Sequence, residues 1–136
     1  MSFTIDGTIV PGIGAARRRL QNIWAWITTQ YPPIIQCRWG TINVQLDQPL
    51  RVNHPHHTTL PAPGDGERFS FLTINFECPI ATNPRQAWIL IPHHSPHRPN
   101  FFQVELLAEF IPEVGQGVSC RLHISDQHTT SEVLIV

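Results

Sequence analysis

The sequence contains no lysine. Its nine basic residues are all arginine, and with ten acids they leave a formal net charge of −1 over 136 residues. Charged residues make up 14% of the chain, against ~25% in ordinary soluble domains. Charge this sparse excludes broad electrostatic attachment to nucleic acid, which needs several cationic phosphate contacts. No block of like charge marks a disordered tail. No apolar run approaches ~18 residues, so no membrane-spanning helix is expected. The opening stretch MSFTIDGTIV carries an acid and no basic cluster, unlike a secretion signal. Cys37, Cys78 and Cys120 are odd in number, widely spaced and form no CxxC pair. That signals neither a disulfide framework nor a zinc knuckle and predicts three reduced, mostly buried thiols in a cytoplasmic protein.

What remains is a chain of the size of one domain, 1–136, with 41% hydrophobic residues, 13 prolines and eight histidines. Residues 3–10 alternate apolar and polar positions and read as a strand. Pro11, Gly12 and Gly14 break it. From Ala15 to Gln30 the period changes, and Ala16, Leu20, Ile23, Trp24 and Ile27 share one helical face. Pro32 and Pro33 stop that helix. Residues 34–38 read as a short strand and 41–46 as another. Residues 47–66 form a long polar loop, too long to be idle in a compact domain. Residues 68–78 are strand-like with apolar residues on both faces, as in a barrel strand touching both core and a covering element. Residues 86–92 form a continuous apolar strand, 102–110 fit strand or helix, and 117–124 alternate. The last residues, 132–136, form a short strand or fray. Six or so short strands with one helix after the first predict a small mostly-β barrel.

Four constellations could carry chemistry. Glycines between a strand and a helix let backbone approach a ligand, and free amides at a helix start favour phosphate. The turn Gly12–Ile13–Gly14 sits at such a junction, followed by Arg17, Arg18 and Arg19, whose forked guanidinium groups suit phosphate oxygens. A plain strand-to-helix turn with a solvated arginine face explains the same residues. Thr41 and Asn43 are two apart on a strand and share a face. Their oxygens suit a hard cation such as magnesium, or merely a polar exterior. His54, His56 and His57 lie in one loop, and His93, His94 and His97 in another; imidazoles at this spacing can bind zinc or copper, or stay solvated. Glu105 lies among apolar residues, followed by Glu109 and Glu113, and is the candidate proton acceptor on chemical grounds. A carboxylate so placed is either paired or turned outward. The serine elbow, the HExxH helix and the P-loop are all absent.

In order and spacing these pieces resemble the archaeal CTP-dependent riboflavin kinase family. The resemblance is carried by GTIVPGIG (7–14), GTINVQLD (40–47), GERF (66–69), AWILIP (87–92), ELLA (105–108) and GVS (117–119), which together span nearly the whole chain. It implies a six-stranded cradle-loop barrel with one helix inserted after the first strand. It also implies magnesium-dependent transfer of the γ-phosphoryl of CTP to the 5′-hydroxyl of riboflavin, giving FMN and CDP. By the same resemblance Thr41 and Asn43 would hold the magnesium ion. Gly12, Ile13, Gly14, Ala15, Ala16, Arg17 and Arg18 would wrap the nucleotide, with Phe110, Ile111, Pro112 and Glu113 as its second contact. Ser95 and Glu105 would contact flavin. The alternatives are a non-catalytic barrel that binds a nucleotide, flavin or other small molecule, and a metal-binding or protein-interaction module built on the histidine loops. The sequence leaves the oligomeric state open.

Overall fold

The computed structural model describes residues 2–11, 15–37, 41–52, 55–80, 83–93, 102–109, 115–125 and 129–131. Strand β1 (Ser2–Val10) leads to helix α1 (Ala15–Gln30) and a 3-10 turn, Pro32–Ile34. Then come β2 (Ile42–Leu46), β3 (Leu50–Val52), β4 (His57–Thr58), β5 (Phe69–Glu77), β6 (Arg85–Pro92), β7 (Gln103–Ala108), β8 (Ser119–Ser125) and β9 (Thr129–Ser131). Strands β1, β2, β7, β6, β5 and β8 pair in that order, and β5 pairs back to β8. The result is a closed six-stranded antiparallel barrel with one helix after its first strand, as the sequence predicts. Closure leaves no long sheet edge exposed to a partner. Short β4 adds to the start of β5, and β3 pairs with β9 in a separate ribbon.

The barrel interior follows from period-two alternation. Ile5, Ile9, Val44, Leu46, Leu72, Ile74, Phe76, Ile89, Leu106 and Leu122 point inward and are buried. Strands β5, β6 and β7 are apolar on the other face too. Phe69, Phe71, Trp88, Leu90 and Leu107 form a second cluster outside the barrel with Leu20 and Ile27 of α1. That double-sided burial is why residues 86–92 read as one unbroken apolar run. Helix α1 has no acid in its first turn and no base in its last, so it gains nothing from the helix dipole. Its stability comes from packing: burying Ile27 alone is worth about 2 kcal/mol.

Two local readings are corrected. Of the expected strand 34–38, residues 34–37 are not a strand, and 38 lies outside the described residues. Ile34 and Cys37 are buried while Ile35 and Gln36 are exposed, a spacing of three that belongs to a turn. Pro32 and Pro33 start that turn as a 3-10 helix, a place where missing amide donors cost nothing. Residues 47–66 are not a structureless loop, since they contain β3 and β4. Of residues 102–110, which fit either period, Gln103–Ala108 form strand β7. Residues 132–136 lie outside the described residues. Among the described residues no helix is long and apolar enough to cross a membrane.

Candidate functional site

The ring of strands gives the barrel two ends. At one end β1 finishes, β2 begins, β7 finishes and β8 begins. Here Val10 stands opposite Asn43, Asn43 opposite Glu105, and Glu105 opposite Leu90. Val10, Asn43, Glu105 and Leu90 therefore form one row across four strands. Their neighbours Ile42, Val44, Val104 and Leu106 belong to the barrel core, so alternation puts Asn43 and Glu105 on the outer surface. Both are half-buried. Thr41, half-buried just before β2, has the same parity as Asn43. The structure thus brings a hydroxyl, an amide and a carboxylate from β2 and β7 onto one outer face.

On its other side this row runs into the apolar patch under α1. Leu90 belongs to that patch, as does Trp88, two residues earlier and opposite Leu107. Trp88 is 7% exposed, and its indole N–H has no hydrogen-bond partner among the described residues. A buried donor left unmade costs about 1–3 kcal/mol, and such groups mark places where a ligand acceptor would be welcome.

The phosphate side of the expected site starts at Val10, whose chain passes Pro11 and re-enters at Ala15 as α1. Gly12, Ile13 and Gly14 lie outside the described residues. So do the side chains of Ala15, Ala16 and Arg17, although all three are helical. Arg18 is exposed. Arg19 is not a solvated arginine. Its guanidinium bonds to Asp65, lies 3.1 Å from Glu67 Oε2 and stacks over the Phe69 ring at 5.5 Å. The Glu67 side chain is 3% exposed. Asp65 Oδ1 accepts the Glu67 amide at 3.0 Å, and that bond leads the causes that hold the Asp65 carboxyl below its usual range. Arg19 thus pins the helix to the 59–67 loop. Sequence reasoning missed these acids; the signal was the tight alternation Asp65, Gly66, Glu67 between two glycines and a strand.

The second nucleotide stretch, Phe110, Ile111, Pro112 and Glu113, lies outside the described residues, but β7 delivers the chain to the same end as Asn43. Ser95 also lies outside them. His93, two residues before it, is at the opposite end of the barrel, where its Nε2 bonds Ser70 Oγ at 2.7 Å. The described histidines hold local structure. His56 Nδ1 accepts the Thr73 amide at 2.8 Å, and His57 stacks on Tyr31, which stacks on Phe71. Among the described residues no three His, Cys, Asp or Glu side chains gather in a way that could hold a metal ion.

No protein-family model matches the chain, and no curated protein matches it.

Proposed function

We propose that the protein is a phosphotransferase of the riboflavin kinase type, moving the γ-phosphoryl of CTP to the 5′-hydroxyl of riboflavin. The observation that carries this reading is the row Val10–Asn43–Glu105. It sets the Thr41 and Asn43 oxygens beside the strand that feeds the glycine turn and α1. Hydroxyl, amide and carboxylate oxygens fit magnesium, which favours hard donors and keeps several waters. Thr41 and Asn43 would hold the ion, which would neutralise charge on the transferred phosphoryl group. Glu105, one strand away, is positioned to orient the acceptor hydroxyl and take its proton. Backbone amides at the start of α1 and the exposed Arg18 would contribute the remaining positive potential.

One observation favours the second reading, a barrel that binds nucleotide or flavin without catalysis. Arg19 is committed to Asp65 and Glu67, and the segment 110–113 contains no basic residue. The test is a phosphorylation assay with riboflavin, magnesium and either CTP or ATP, alongside riboflavin titration followed by fluorescence. The kinase reading expects FMN with CTP, with apparent magnesium affinity falling ~10-fold or more in Thr41→Ala and Asn43→Ala. Riboflavin binding without FMN formation from either nucleotide would establish the second reading, and absence of both would sink the two together.

A further inference from the structure

The barrel closes where β5 meets β8, and two cysteines face each other at that seam. In register Asn75 is opposite His123, Phe76 opposite Leu122 and Glu77 opposite Arg121. Extending that register one residue past the end of β5 sets Cys78 against Cys120. Both share the inward parity of Phe76 and Leu122, both belong to the barrel core, and they are 4% and 0% exposed. Directly opposed residues on antiparallel strands have Cα atoms ~4.5–5.5 Å apart, inside the ~4.4–6.8 Å that a disulfide spans. Cys37 lies in the separate cluster under α1, so it is no rival partner.

We propose that Cys78 and Cys120 are a dithiol–disulfide pair that staples the closing seam of the barrel when the protein meets a small-molecule disulfide. The step is thiol–disulfide exchange. One cysteine, as thiolate, attacks the small disulfide and releases one small thiol. The other cysteine then attacks the resulting mixed disulfide, releases the second small thiol and closes the Cys78–Cys120 bond. Two protein thiols are oxidised, and one small disulfide is reduced to two thiols. Under reducing conditions the Cys120 thiol stays protonated: burial first, and then the neighbouring Cys78 sulfur, push it up to about 12. The pair is thus slow to react while folded and stable once closed. A dry core admits neither water nor a second oxidant molecule to carry it further along the oxidation series.

The test uses the full chain refolded from urea through a buffer of reduced and oxidised glutathione, which removes the kinetic protection that burial gives. Free thiols are then alkylated, and the mass and peptide map are read. The expected product is a folded monomer with only Cys37 alkylated and a peptide joining Cys78 to Cys120, reversed by dithiothreitol. Its urea midpoint should exceed that of the reduced protein, because the bridge constrains the unfolded chain. Three alkylated cysteines in folded protein, a lasting glutathione adduct on Cys78 or Cys120, or a bridge to Cys37 would each overturn the proposal. Since the wild-type chain carries the decisive readout, a serine variant that fails to fold does not affect the outcome.

Discussion

Replacing Gly7 by alanine tests how tightly the barrel is wound beneath the candidate site. A Cβ at Gly7 would stand 2.6 Å from the Gln45 carbonyl oxygen and 2.7 Å from Val44 Cγ1. Ordinary contact begins at 3.4 Å, so β1 and β2 would have to separate by about 0.7–0.8 Å at this point, set against the close packing of protein interiors. The nearest obstacle is backbone, which cannot rotate away. Overpacking of this kind costs about 1–3 kcal/mol. The stiffer unfolded chain of an alanine variant returns about 0.4–1 kcal/mol, leaving a net loss of about 1–2 kcal/mol. Urea unfolding followed by tryptophan fluorescence should show a midpoint lower by about 0.5–1 M with an unchanged slope. The strain also reaches the site, because Val44 adjoins Asn43. If the protein transfers phosphoryl groups, Gly7→Ala should therefore weaken magnesium-dependent activity more than Ile27→Ala does at matched stability. An alanine variant within ~0.3 kcal/mol of wild type would refute the reasoning, since it would mean that the strands part without cost.

Other substitutions read other contacts. Ile27→Ala leaves a cavity between α1 and the barrel at a fully buried position and should cost about 2–5 kcal/mol by chemical denaturation. Arg19→Ala removes a cation from the nearly buried Glu67; thermal and urea unfolding should show a loss of about 1–2 kcal/mol, less than a fully buried pair because Arg19 is partly exposed. Glu67→Gln in the same background should restore part of it. The hydrogen bond from Arg121, 2.7 Å to Asp6 Oδ1, is the main cause that holds the Asp6 carboxyl below its ordinary 3.8. A carboxyl lowered by folding stabilises above its unfolded value and loses that contribution as pH falls through the folded one. The stability gap between wild type and Asp6→Asn should therefore be constant near neutral pH and shrink below pH 3.8, as acid titration of the unfolding midpoint would show.

Period and punctuation made much of the fold legible. The helix 15–30 stood out because Leu20 and Ile27 keep a 3.6-residue period between a Pro–Gly break and a Pro–Pro stop. Strands at 3–10, 41–46 and 117–124 stood out by a period of two, and 86–92 by its unbroken apolar run. Short elements carry no such signal: β4 has two residues and β3 three, too few for any period to show. Residues 34–38 misled because apolar type alone does not separate a spacing of three from one of two. The site was legible in part. Thr41 and Asn43 share a face by alternation alone, but the pairing of Asn43 with Glu105 depends on the register of β2 against β7. That register is set by closure of the whole ring and by no local pattern. Arg19 and Asp65 lie 46 residues apart, so their ion pair had no local trace either.

The missing lysines matter most at this point. A phosphate-handling site needs cations that are not already spent on carboxylates. Of the described arginines, Arg19 faces Asp65 and Glu67, and Arg121 faces Asp6. Arg121 also belongs to the outer face of β8 and β1, where its strand neighbours are Asp6 and Glu77, so it adds no net positive potential near Asn43. Arg18, Arg68 and Arg85 are exposed; Arg18 stands at the start of α1, with Arg17 beside it in sequence. The bonds of Arg19 to Asp65 and Glu67 tie α1's first turns to the 59–67 loop. If the protein transfers phosphoryl groups, Arg18→Ala should lower turnover directly. Arg19→Ala should lower it through the helix, with a larger stability loss, and Arg19→Lys should rescue less than its charge suggests, because a lysine cannot fork across Asp65 and Glu67.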